Sequence, residues 1–246
     1  MRFTLLLSSV LSFFFVSCDK NKKTDTEQKL QIVVNPVFGS QVLYLDSVYY
    51  TSEGYAVKFT DIKFFLSGLH NGVDTLSLVG YYDLREKGNL LLEEKGEHSK
   101  FLQLAASIGV ITPYNNADPS LFPNNSPLNI SNAGNMHWSW NTGYIFYAIE
   151  GRVDTIPDNV VNTNFNFSFH IGMNQNLRSV QFENLNWVKK SNELHQASLK
   201  LDLGYFLNNP NRVIDLKSEY LTHTASGQES ITEKVRDSFV ESLKAE

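Results

Sequence analysis

Short β-rich segments separated by turn-forming residues run through most of this chain, and they restrict its fold more than any other feature. Apolar and aromatic residues alternate with polar ones within each segment, and Gly, Asn, Asp or Pro stands between segments. Helical patterns do not alternate with these segments, which argues against an α/β fold. The pattern predicts an all-β fold, an antiparallel β-sandwich. The predicted strands are 30–35 (ended by Pro36), 56–66 (one or two strands), 74–82, 101–110, 143–150, 165–171, 177–183 and 198–205.

Two segments depart from this pattern. Residues 112–135 are rich in Pro, Asn and Ser and predict a long irregular loop, which is often functional inside a compact domain. Residues 230–245 predict an amphipathic helix that opens with a capping box, Ser230 to Glu233. We expect its apolar stripe to dock on the sandwich, with a membrane or partner role as the alternative. The stripe recurs every fourth residue and consists of Ile231, Val235, Phe239 and Leu243.

The N-terminus has the pattern of a bacterial lipoprotein signal. Arg2 precedes an apolar stretch that is too short to cross a bilayer comfortably, and the residues before Cys18 resemble a lipobox. Cleavage before Cys18 would remove residues 1–17 and leave lipid on Cys18, whereas the alternative is an ordinary signal peptide with a chance cysteine. Residues 18–29 then form a polar tether to a domain over 30–246. We therefore expect a protein of the bacterial cell envelope, held at the membrane by its lipid alone and facing the periplasm or the exterior.

Charge and cysteine content exclude several classes of protein. The net charge is -5 and basic residues form no long run, so nucleic acid is excluded as a partner. Cys18 is the only cysteine. If it carries lipid, the mature protein has no disulfide, no thiolate zinc site and no blue-copper centre.

The zincin, nucleophile-elbow, P-loop and dinucleotide-binding motifs are absent from the sequence, so we expect no enzymatic activity.

Two of the six histidines lie in aromatic segments that suit a site. In the segment 164–170 the phenylalanines share one strand face and His170 lies on the other face with the polar residues, at the end of the strand. In the segment 134–146, Trp138 lies on the face of Trp140 and Met136 if the chain is extended, and His137 points the other way. The alternatives are a hydrogen-bonded surface histidine and an aromatic core strand. Imidazole and thioether are suitable ligands for copper, and imidazole also binds zinc and nickel.

The stretch MHWSWNTGYIFYAIEG, followed downstream by FHIG, resembles the MbnP-like family of secreted or lipid-anchored bacterial proteins. This family is related to the methanotroph copper-binding proteins of the CorA and MopE type. Other matching stretches extend the resemblance over most of 30–243; they are GYAVKFTDIKFFLSGL, LVGYYDL and IGVITPYNNADPSLFPNNSPLN.

The resemblance implies a β-sandwich that binds copper through histidines and a tryptophan oxidised to kynurenine. It also implies a di-haem partner enzyme, related to the cytochrome c peroxidases and MauG, that performs the oxidation. By matching positions, Trp138 is the tryptophan and His170 a histidine ligand. This chain has Trp140 where the methanotroph proteins have a histidine two residues after the tryptophan. His137 or Met136 is therefore the expected additional ligand.

Three functional hypotheses follow. The first is a lipid-anchored copper-binding protein that sequesters or hands over copper. The second is a metal-free sandwich that binds a glycan, peptide or partner protein through its aromatic motif and long loop. The third is a substrate of a haem enzyme, oxidised at Trp138 or Trp140, which does not need copper.

Overall fold

The computed structural model describes residues 28–139, 143–156, 158 and 160–246. The predicted signal peptide, Cys18, nearly all of the predicted tether and Trp140 therefore lie outside the described residues. The strands are β1 Lys29–Phe38, β2 Gln41–Val42, β3 Tyr49–Tyr50, β4 Ala56–His70, β5 Thr75–Asp83, β6 Leu90–Lys95, β7 Leu104–Ile108, β8 His137–Ser139, β9 Gly143–Asp154, β10 Phe165–Gly172, β11 Arg178–Phe182, β12 Val188–Lys189, β13 Leu194–Asp202, β14 Leu221–Thr222 and β15 Leu243–Ala245. The α-helices are α1 Leu84–Lys87, α2 Thr112–Asn115, α3 Ile130–Ala133, α4 Leu203–Leu207 and α5 Glu229–Ser242. Three 3-10 turns cover His98–Lys100, Pro119–Leu121 and Asn174–Asn176.

These strands form two mixed sheets, which confirms the predicted all-β sandwich class. The smaller sheet has the order β12-β13-β1-β2, with β6 paired to β1 and β15 to β13. The larger sheet has the order β11-β7-β4-β9-β10-β14, with β3 and β5 paired to β4 and β8 to β9. Most pairs are antiparallel, as predicted, but β1 with β13 and β10 with β14 are parallel. Parallel partners need long connections, and both pairs join strands that are distant in the sequence.

The alternation within β10 shows how the sequence directs the core. Phe167 and Phe169 are buried, whereas Ser168 and His170 between them are partly exposed, as the pattern predicts. Phe165 was expected in the core but is 45% exposed, and it packs edge-on against Tyr220 with ring centroids 4.7 Å apart. It is the first residue of β10 and lies beyond the buried part of the strand.

Several predicted boundaries are wrong for identifiable reasons. Pro36 does not end β1. The pairing of β1 with β6 ends at Val33, and its pairing with β2 begins at Val37. Pro36 lies between these two pairings, where a strand tolerates a residue that has no N–H. Strand β4 does not end at Leu66, as predicted, but continues as far as His70. Residues 203–205, predicted as strand, begin α4.

The C-terminal helix docks on the sandwich as predicted. Phe239 of α5 is fully buried and stacks on Tyr147 of β9, with ring centroids 4.3 Å apart and planes 7° apart. The predicted capping box is absent: the helix begins one residue earlier, after Gln228, whose side chain makes no capping hydrogen bond. The last predicted helical residues form β15, which pairs with β13.

The long loop before β8 covers the outer face of the larger sheet. It contains α2, α3 and a 3-10 turn. The hydroxyl of the buried Tyr144 donates a hydrogen bond to the Leu128 carbonyl, and its main-chain N–H donates to the Asn115 side chain at 2.8 Å. Among the described residues, no helix is both long and apolar enough to cross a membrane.

Candidate functional site

The candidate site lies on the outer face of the larger sheet, beside the area that the long loop covers. In the register of the sheet, Lys63 of β4 pairs with Ala148 of β9, which pairs with His170 of β10. Residues paired across a sheet share a face, as do residues two apart on one strand, so Glu150 belongs to the same face. The backbone therefore places imidazole, carboxylate and ammonium groups on three adjacent strands.

His170 is the centre of a small polar cluster. Its Nε2 atom is 2.7 Å from Oε1 of Glu150 and 3.2 Å from the hydroxyl of Ser168. The His223 ring, just after β14, stacks on the His170 ring with centroids 4.7 Å apart and planes 10° apart. The Ser168 hydroxyl is 3.5 Å from Nε2 of His223 and so lies within reach of both rings. The cluster is partly buried, with 16% of the His170 side chain exposed.

A lysine and two carboxylates flank this cluster. The Lys63 ammonium is 2.7 Å from Asp61 and 3.7 Å from Asp83. Burial lowers the pKa of Lys63, but the hydrogen bond and charge of Asp61 outweigh that effect and raise it. Burial raises the pKa of Asp61, although Lys63 opposes this shift. Lys63 therefore stays charged and partly neutralises the carboxylates around it.

Trp138 reaches the strand that carries His170. Its ring atoms Cζ3 and Cη2 are 3.2 and 3.3 Å from the position that a Cβ atom would occupy at Gly172, two residues after His170. A side chain at this position would press against the ring and would lie 2.7 Å from the Tyr144 carbonyl oxygen. Nearby, Asn135 accepts a hydrogen bond of 3.4 Å from Lys63, which joins the segment before β8 to the polar face. The indole thus contacts β10 two residues beyond His170.

His137 and Met136 have surroundings different from those of His170. The His137 ring packs edge-on against Tyr144 at 4.8 Å, and the pairing of β8 with β9 shifts register just after His137. Its Nε2 atom is buried and meets no hydrogen-bonding partner within the described part of the chain. Burial also lowers its pKa, and the charge of Asp118 opposes this effect. Met136 is fully buried in the hydrophobic core.

The donor chemistry of the His170 cluster suits copper, but its arrangement is held by hydrogen bonds. Two imidazoles and a carboxylate are ligand types that divalent copper accepts. In the described residues, however, no group of three or more His, Cys, Asp and Glu side chains is positioned to hold a metal ion. The hydrogen bond from His170 holds the pKa of Glu150 below its ordinary value, and burial lowers the pKa of His223. Neutral His223 retains a nitrogen lone pair, which a ligand requires.

Two members of this cluster were missed from the sequence. Glu150 is the second-last residue of the quoted aromatic stretch and matches no motif, and the residues of β9 before it are buried on both faces, so no alternation indicates a polar face. His223 lies in an unremarkable polar segment more than fifty residues after His170. Only the parallel pairing of β14 with β10 brings it to the cluster, and no local pattern indicates that pairing.

The fold and the site define an all-β sandwich with a histidine–carboxylate cluster next to a tryptophan-bearing strand. Comparison with family models matches the MbnP family over residues 27–223, so the chain belongs to the MbnP family. Among solved structures, the chain is similar to MbnP from Methylosinus trichosporium, with a TM-score of 0.49 and 16% sequence identity. That match covers 74% of this chain and 78% of the other. A search of curated proteins found no significant match.

Proposed function

We propose that this chain is a lipid-anchored, extracytoplasmic copper-binding protein that sequesters or hands over copper and catalyses no reaction. The single observation that carries the proposal is the approach of Trp138 to Gly172, next to His170 on one strand. Family membership supports the same function, because the family resemblance implies a copper site built from a histidine and an oxidised tryptophan. Copper would draw its ligands from His170 and from His223 beside it.

Oxidation of Trp138 is part of this proposal. An indole nitrogen is only a donor of hydrogen bonds, whereas the aniline nitrogen of kynurenine has a lone pair that can bind a metal. Trp138 is partly buried against the core, so its ring is held in place but not fully enclosed. A di-haem enzyme related to the cytochrome c peroxidases would catalyse the oxidation with dioxygen as the oxidant: two oxygen atoms add as the C2–C3 bond of the indole breaks, and hydrolysis then releases C2 as formate. Intact-mass measurement of protein from its native host should show the mass of kynurenine, and an unmodified mass would contradict this part.

His137 and Met136 contribute less to the proposal than His170. Their contacts are with Tyr144 and the core, whereas those of His170 are with Glu150, Ser168 and His223. The unpartnered nitrogen of His137 remains the feature that favours its use as a ligand. Substituting His137 and His170 separately distinguishes their roles.

The metal-free binding module has weaker support. An aromatic binding platform needs exposed rings, but Tyr144 is fully buried and its hydroxyl is bonded to the loop carbonyl of Leu128. Trp138 is partly covered as well. These placements fit a supporting role for the aromatic residues better than stacking against a glycan.

The first test is copper titration of purified protein against a competing chelator, followed by electron paramagnetic resonance. We expect one tight site whose signal is lost in His170→Ala. His70→Ala is the matched control, because His70 is exposed and lies seven residues beyond Lys63 on β4, roughly 20 Å away by the rise of a strand. Absence of a tight site in the unmodified protein, or equal loss in both variants, would overturn the proposal.

A further inference from the structure

The hydrogen bond between Glu150 and His170 has a consequence for the chemistry of the imidazole. We propose that Glu150 is a positioning residue that keeps His170 in the tautomer with hydrogen on Nε2, so that Nδ1 carries the lone pair. The role of this tautomer in metal binding rests on the proposed function. A hydrogen on Nε2 makes Nδ1 the atom that His170 offers to a metal. The tautomer itself does not depend on any metal.

The first argument is the chemistry of the pair. An ionised carboxylate only accepts hydrogen bonds, so a contact of 2.7 Å between Glu150 Oε1 and His170 Nε2 requires the hydrogen on Nε2. The Glu150 side chain is 35% exposed to water and lies beside the strand that carries the Lys63 ammonium, and both surroundings favour a carboxylate that accepts hydrogen bonds. In a neutral imidazole with hydrogen on Nε2, the lone pair must lie on Nδ1.

The second argument is the environment of the ring. The Ser168 hydroxyl lies 3.2 Å from Nε2 of His170 and can donate its hydrogen to Nε2 of His223 at 3.5 Å, which leaves the hydrogen on Nε2 of His170 to the shorter contact with Glu150. The parallel ring of His223, 4.7 Å away, limits rotation of the His170 ring. Glu150, Ser168 and His223 therefore favour one orientation and one tautomer of His170.

This arrangement matches a general feature of metal sites in proteins. A histidine that binds a metal through one nitrogen commonly donates the other N–H to a carboxylate, which fixes the tautomer and makes the ligand more basic. Here Glu150 would have that role. Copper binding through Nδ1 would leave the Glu150 bond intact, whereas binding through Nε2 would have to break it.

Nuclear magnetic resonance of the metal-free protein tests the inference. Long-range proton–nitrogen correlation of the ¹⁵N-labelled full chain distinguishes the two tautomers of each histidine, and His170→Gln assigns the His170 signals. His70 is an internal reference, because its Nδ1 accepts a hydrogen bond of 2.9 Å from the Gly72 N–H and its hydrogen must therefore be on Nε2. We expect His170 to show the same single tautomer as His70.

Two variants separate positioning from general structural damage. Glu150→Leu removes the acceptor, and we expect a mixture of tautomers at His170 with the His70 signals unchanged. Glu150→Gln keeps the shape of the side chain but can donate to Nε2 as well as accept from it, so we expect a mixture of tautomers there too. A mixture or the opposite tautomer in the unmodified protein, or no change in Glu150→Leu, would overturn the inference. Adding Cu(I) to the same sample should then shift Nδ1 of His170; if no histidine signal moves, the proposed function fails while the tautomer result stands.

Discussion

Gly172 is a residue of β10 against which the indole of Trp138 packs. A Cβ atom at this position would lie 2.7 Å from the carbonyl oxygen of Tyr144, which belongs to the backbone of β9 and cannot move without shifting that strand. The same atom would meet the Trp138 ring. One hydrogen atom in place of a methyl group thus determines whether the aromatic segment can lie against the strand of His170.

Replacing Gly172 by alanine should separate Trp138 from β10. We expect a loss of about 1–3 kcal/mol in the free energy of unfolding, the usual cost of overpacking. Urea denaturation measures that loss, and the indole N–H resonance of Trp138, assigned with Trp138→Phe, should shift. Unchanged stability together with an unchanged resonance would contradict the placement of the ring.

At the scale of elements, helix α5 stabilises the sandwich through a single aromatic residue. Phe239 contacts Tyr147 in a stacked geometry, Phe64 edge-on at 5.5 Å and Phe206 at 6.4 Å. It therefore joins β9, β4 and α4, and β9 also carries Glu150 of the candidate site. Loss of this contact would weaken the support behind the site without touching its polar groups.

Phe239→Ala should reduce the free energy of unfolding by about 3–5 kcal/mol, because a fully buried aromatic ring is lost and a cavity remains. Ile231→Ala is the matched control. Ile231 belongs to the same apolar stripe but is only partly buried, so its loss should cost less. Chemical denaturation of both variants compares them, and equal losses would contradict the described docking of α5.

Strand β13 carries a histidine whose burial makes stability depend on pH. His195, the second residue of β13, is buried, and its ring stacks on that of His98 with centroids 4.0 Å apart. Burial lowers the pKa of His195, and the charges of His98 and Lys189 lower it further. The folded state disfavours the protonated ring. The stability that neutral His195 contributes is therefore complete above the pKa of the unfolded state, about 6.5, and is lost as the pH falls through the pKa of the folded state.

We therefore expect the melting temperature of the protein to fall as the pH is lowered from about 7 towards 5, with a smaller fall in His195→Phe. Phenylalanine keeps an aromatic ring against His98 but cannot bind a proton. Thermal unfolding monitored by circular dichroism across this range measures the difference. An identical pH dependence in both proteins would show that His195 does not contribute.

The elements differ in how far the sequence predicts them. The alternation of β10 was sufficient to place Phe167, Phe169 and His170 on their faces, because period two is a local property of a strand. Pro36 within β1 depends on which neighbour pairs at that position, and local sequence contains no such information. The same holds for His223, which reaches His170 only through a parallel pairing of distant strands. The sequence thus placed His170 on its strand face but did not indicate its contacts with Glu150 and His223.

At the scale of the whole molecule, the candidate site depends on segments from most of the chain. The β4 strand supplies Lys63, β9 supplies Glu150, β10 supplies His170, and the segment after β14 supplies His223. The long loop covers the neighbouring part of the same face and leads into β8 with Trp138. Because the polar cluster needs the larger sheet in full, we expect it to form only in the folded domain.

The predicted lipid anchor would place this domain at the membrane surface. Cys18→Ser should move the protein from the membrane fraction to the soluble fraction and abolish labelling by a fatty acid. Ser17→Ala, which keeps a small residue before the cysteine, should retain both. Labelling that persists in Cys18→Ser would exclude this cysteine as the site of lipid attachment.

The most direct measurement of the central claim is anomalous diffraction at the copper edge from crystals grown with copper. The proposed function predicts one strong anomalous peak within bonding distance of the His170 imidazole, on the face of β10 that Trp138 approaches. No peak at His170, or a peak only at a distant histidine such as His98, would contradict it.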